Sequence, residues 1–139
     1  MTGWLFYACV SAIAAAATAV LAKIGIEGVP ATLATAFRTA VVLILGWAIV
    51  FGLGEQHALR TVSRRSFLFL TLSGLATGVS WLAYFRALQL GPASRVAPID
   101  KLSLPLTLLL AMTVLGEPFS WRLVAGVGLM TIGALLTIT

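Results

Sequence analysis

Charge is scarce in this 139-residue chain: Asp, Glu, Lys and Arg together make up 9 % of it. A water-soluble domain of this size needs far more polar surface, so the composition places the chain in the membrane class. Cysteine is represented by Cys9 alone, which excludes an intrachain disulfide and reads as a small buried hydrophobe. Histidine is represented by His57 alone, in a polar connection, where it reads as solvated rather than catalytic. No His/Cys cluster has metal-ligand spacing, and no Gly-rich loop of the phosphate-binding kind precedes a helix. Enzyme chemistry and a bound cofactor are therefore not expected. No positive residue precedes the first apolar run, whose first charge is Lys23, so that run is expected to stay as a transmembrane helix rather than be cleaved as a signal.

Hydrophobic residues fill 60 % of the chain, in five long runs at 4–22, 31–53, 66–88, 96–115 and 119–138. A hydrocarbon core of about 30 Å takes about 20 helical residues. Stretches such as 40–53 and 106–115 have no polar face, as a buried helix of a soluble bundle would. Nor do they alternate as barrel strands do. The fold class is all-α, a polytopic membrane protein with five transmembrane helices, in one domain over 1–139. Gly28-Val29-Pro30, Gly54-Glu55-Gln56-His57, Gly91-Pro92 and Gly116-Glu117-Pro118 punctuate the spans, each pairing a helix-ending glycine with residues that cannot continue the helix.

The net charge of +5 is dispersed over the loops with no basic stripe interleaved with aromatics, which argues against nucleic acid and for the lipid bilayer as partner. Arg60, Arg64, Arg65 and Arg122 lie on the second and fourth connections. Lys23 and Arg95 lie on the first and third, with Arg86 and Lys101 deeper in the flanking helices. Basic loops favour the cytoplasm, so the amino terminus is expected inside, by a small margin.

Charges inside spans usually face a bundle interior or a watery cavity. Arg38 lies about 10 Å into the second run at about 1.5 Å per residue. Asp100, the one carboxylate within a run, sits at comparable depth in the fourth and is the natural counter-ion for Arg38 or Lys101. Such a pair either pins helices together or serves as a titratable gate. Pro98 and Pro105 are expected to break the fourth helix, and Asp100, Ser103 and Thr107 share one of its faces. Thr77, Ser80, Trp81 and Tyr84 share a face of the third and offer hydroxyls and aromatic surface to a small organic molecule. Gly126 and Gly133 in the fifth run, like Gly74 and Gly78 in the third, permit close helix approach and suggest a dimer contact.

The segment from Ala87 to Pro98 (ALQLGPASRVAP), Leu115-Gly116-Glu117-Pro118, Gly126 through Gly133 and the early Ala36-Phe37-Arg38 resemble the EamA domain of the drug/metabolite transporter superfamily. The resemblance spans essentially the whole chain and is closest to the short five-span bacterial and archaeal members. It implies half of a ten-helix inverted-repeat transporter: a carrier or exporter of small metabolites or drugs in the bacterial inner membrane, acting as a homodimer that is possibly antiparallel. The chain departs from the related small multidrug resistance proteins in having no acidic residue in its first run. Two other readings stay open, a non-transporting membrane partner subunit and one half of a heteromeric lipid-linked sugar flippase.

The small Lys/Arg asymmetry makes the topology testable. Reporter fusions at the carboxyl end should report the outside in most copies, with a measurable inverted fraction. A carboxyl end found only in the cytoplasm would reverse the orientation.

Overall fold

The computed structural model describes residues 3–138 and is all-helical across them. Helix α1 is Gly3–Gly25, α2 Ala31–Gly52, α3 Arg64–Leu90, α4 Ala93–Asp100, α5 Ser103–Val114 and α6 Trp121–Leu136, with a 3-10 helix at Glu55–Thr61 between α2 and α3. The first three are long and apolar enough to cross a membrane, and so is Ala93–Val114 when α4 and α5 are taken together.

The glycine stops fall where their conformation requires them. Gly28, Gly54 and Gly116 have φ of 73°, 73° and 68°, the left-handed region that costs other residues a steric penalty. The Leu-Gly-Glu-Pro turn shows why the pattern works: the Ala111 carbonyl receives the Leu115 and Glu117 amides at 3.1 and 3.2 Å, and Gly116 reverses the chain between them. An acidic residue beside a proline suits a helix start, which makes Glu117 the expected cap of the fifth helix, but the cap position falls on Ser120, whose side chain makes no capping bond, and Glu117 stands three residues before it. The extended backbone at Ser120 (φ −132°, ψ 114°) delays the helix start, so α6 has 16 residues, about 24 Å, rather than a full run from 119.

The chain divides into two compact units, Met1–Leu21 with Leu90–Thr139, and Ala22–Gln89. In the first, α6 packs against α4 and α5 and Ala134 is buried. In the second, the buried residues are Ile26, Thr35, Phe85 and Leu88. The connection expected to be a polar loop forms the 3-10 helix against α2. Ala58, Leu59 and Val62 there line an open groove of about 660 Å³ with Val42, Leu43, Gly46, Trp47 and Val50. None of the candidate site residues lines it.

Two features identify the solvent these helices are built for. Val41, Val42, Leu43, Ile44 and Leu45 are all exposed, Ile44 by 69 %. At 100° per residue, five successive residues cover the whole circumference, so α2 is apolar and open on every side there. Hydroxyls meanwhile turn inward. Thr35, Thr39, Thr71, Thr77, Thr107, Thr113 and Thr131 each donate to the carbonyl four residues earlier at 2.8–2.9 Å. Polar groups in hydrocarbon must be satisfied within their own segment, and these are.

A Cβ built on Gly126 or Gly133 meets no atom within 4 Å, so each leaves a flat patch of α6 surface. Replacing both by Leu should leave helix content unchanged and reduce crosslinked dimer in bilayers. Undiminished dimer would place the contact elsewhere.

Candidate functional site

The site grows from a tie at one end of the Ala22–Gln89 unit. Pro30, at φ −55° and ψ 136°, sits at the N-cap of α2 and receives the Ala34 amide at 3.0 Å. Just before it, the Val29 carbonyl accepts from Gln89 Nε2 at 2.7 Å. Gln89 in turn accepts from Arg86 Nη1 at 3.1 Å, and Lys23 Nζ donates to the Leu88 carbonyl. Leu88 belongs to the last turn of α3, whose carbonyls have no partner within the helix, and a cation suits that negative end. Fully buried Leu88 and buried Ile26, Thr35 and Phe85 fill the space beneath.

That tie fixes a register. Arg38 is nine residues beyond Val29, and Trp81 is eight residues before Gln89. At about 1.5 Å per residue both lie about 12–13 Å from the tie, so antiparallel α2 and α3 bring them level. The Arg38 guanidinium carbon stands 4.3 Å from the centroid of the Trp81 ring and 5.6 Å from that of Phe85. Trp81 and Phe85 are four residues apart and share a face of α3. Tyr84 lies on the adjoining face of α3, three residues beyond Trp81. Arg38 forms no ion pair with Glu27 or Glu55, the carboxylates of its unit.

Magnitudes show how completely the rings satisfy it. An Arg at the centre of a span costs about 2.5–3.5 kcal/mol on insertion scales. A desolvated cation–π contact returns about 2 kcal/mol. The aromatic faces thus offset much of the cost but leave an electropositive guanidinium edge.

The fourth span carries the second feature. Pro98 lies inside α4, which continues to Asp100, so it is not where the helix breaks. The interruption is at Lys101-Leu102, and Pro105 explains it: a proline ring clashes with the carbonyl four residues earlier, here that of Lys101. The freed carbonyls find local partners. Pro98, Ile99 and Lys101 accept from the amides of Lys101, Leu102 and Leu104 at 2.9–3.0 Å, and Ser103 Oγ donates to the Asp100 carbonyl at 2.9 Å. The Asp100 carboxylate lies 3.5 Å from Lys101 Nζ, both side chains largely exposed.

The model of the EamA-like transporter family matches residues 2–139. The chain belongs to that family. It is also 47 % identical over 133 residues to a Sinorhizobium sp. protein named "Uncharacterized transporter in cobO 3'region", an alignment covering 96 % of this chain and 94 % of the relative. No solved structure matches the chain. The family and the relative both point to a transporter role.

Of the residues singled out for this EamA-like chain, the structure joins Arg38 with Trp81. It joins Asp100 with Lys101 and with Ser103 through its backbone. Thr77 donates to Ser73 at 2.9 Å and so presents only acceptor lone pairs outward; Ser80 is exposed. Phe85 and Gln89 were missed. Phe85 was legible as the residue one turn beyond Trp81. Gln89 became meaningful only once its partner at Val29 was known.

A double-mutant cycle on Arg38→Met and Trp81→Leu, read by thermal or denaturant unfolding in detergent, should give a coupling of about 1–2 kcal/mol. Coupling near zero would detach the ring from the guanidinium.

Proposed function

We propose that the chain is a secondary carrier of small organic solutes, acting as an antiparallel pair of copies in a bacterial inner membrane. The family and the relative supply the transporter role; the observation that carries the finer reading is Arg38 held on Trp81 inside a span. Alternating access uses two inverted halves, and five spans supply one. A second copy inserted the other way supplies the other, which the small Lys/Arg bias permits. The relative, 94 % of which aligns, also has room for only one such unit. The face formed by Arg38, Trp81 and Tyr84 binds solute in this reading.

Asp100 serves as gate or coupling group. A carboxylate retained in a span only to pin helices would pair across elements. Its partner here is the next residue in sequence, at a jointed point of the span. Broken helices form substrate and coupling-ion sites in transporters, and carboxylates within spans mark proton relays.

Flux into proteoliposomes of purified protein, screened with a metabolite panel, tests the carrier reading. Asp100→Asn should leave folded protein in the membrane. It should abolish turnover or its pH dependence. Normal flux with a lowered melting temperature would make Asp100 structural.

A further inference from the structure

We infer that the Arg38 face selects organic anions: it takes a carboxylate on the guanidinium edge and a flat apolar body against the neighbouring rings. This rests on the reading that the face lies on the solute path. Three observations converge on the sign of the charge. First, Arg38 has no carboxylate partner in its unit, so its positive charge attracts anions and repels cations. Second, the same end of the unit carries Lys23 and Arg86, held by the Leu88 carbonyl and the Gln89 amide oxygen, against the single carboxylate of Glu27. Clustered cations beside low-dielectric walls concentrate anions. Third, the guanidinium has more donors than its ring contact can use. Its carbon lies 4.3 Å from the Trp81 centroid, a contact of charge with the ring's π surface. Its five N–H donors include a fork whose geometry grips a carboxylate with two parallel bonds.

The surroundings argue for an organic anion over an inorganic one. Trp81 and Tyr84 are partly exposed and Phe85 is buried behind them, so the rings beside the cation supply apolar area and few donors. An inorganic anion loses hydration there with little return, while an aromatic or aliphatic carboxylate places its body on the rings.

Phenylacetate and 2-phenylethylamine share size and shape and differ in charge sign, which makes them the probes. Binding to the purified full chain in nanodiscs is read by tryptophan quenching and by calorimetry, with inorganic phosphate as a third titrant. Phenylacetate should bind saturably, the amine and phosphate at least about tenfold more weakly, a difference of about 1.4 kcal/mol. Arg38→Gln should weaken phenylacetate binding by about tenfold or more. If that variant does not fold, Arg38→Lys carries the test: it keeps the charge and loses the fork, so affinity should still fall. Trp81→Phe should remove most of the quenching. Equal or tighter binding of the amine, no binding of phenylacetate, or phenylacetate affinity indifferent to both Arg38 variants overturns the inference. Flux separates it from the carrier reading. Binding of phenylacetate without flux of any panel solute leaves the anion site and removes the carrier; flux of the amine without phenylacetate binding does the reverse.

Discussion

A cation about 10 Å from the end of an apolar helix has to be solvated by protein, and the choice made for Arg38 organises the Ala22–Gln89 unit around it. Its guanidinium rests on Trp81 and Phe85, which demands that α2 and α3 hold one longitudinal register to within a residue or so. That register is set at the end of the helices. Gly28 turns the chain at φ 73°, Pro30 starts α2, and the Gln89 amide holds the Val29 carbonyl at 2.7 Å. Slipping one helix by a residue, about 1.5 Å, would break that bond and carry the ring off the guanidinium together. The two interactions are therefore cooperative in a simple geometric sense.

The fourth span solves an opposite problem. Where α2 and α3 are tied, the Ala93–Val114 span is jointed. Two prolines in one span do not act alike, and position within the helix decides. Pro98 is the sixth residue of α4, and the helix tolerates it for the two residues left to Asp100. Pro105 is the third residue of α5, where a missing amide costs least, and its ring excludes a helical carbonyl at Lys101. The joint is consequently displaced four residues upstream of the proline that causes it. It places Asp100 and Lys101 at the interruption itself. Bonds between residues three apart satisfy the carbonyls, so the joint survives in lipid without a water-filled cavity.

Much of this was legible from residue order. Span positions followed from apolar length, and the helix stops from glycine and proline, because both signals are local. Arg38 was found by depth and Trp81 by its place on a polar face. What stayed hidden depends on partners across the fold or on backbone detail. Gln89 carried no reading of its own until its partner at Val29 was placed. The 55–61 segment looked like a loop because its polar residues outnumber Ala58 and Leu59. Asp100 appeared equally suited to Arg38 and Lys101, which only coordinates distinguish. Glu117 had the right charge for a helix start, but Ser120 occupies that position in extended conformation, so local chemistry and backbone path disagreed. The fifth helix came out shorter for the same reason.

The same accounting of polar groups separates packing from function. Threonine hydroxyls along the spans are bonded to their own helices, and the carbonyls at the joint are bonded locally. These groups satisfy themselves wherever the helix sits and say little about what it does. Arg38 is different because no arrangement of its own helix can satisfy five donors and a charge. The aromatic face lowers its cost without neutralising it, and a helical Leu at the same position would carry no such cost. A residue kept at net expense in a span, and supported by a tie that fixes its partner's register, is the strongest physical argument that this end of the unit meets a ligand. The joint in the fourth span, by contrast, satisfies its own carbonyls within three residues and makes no such demand.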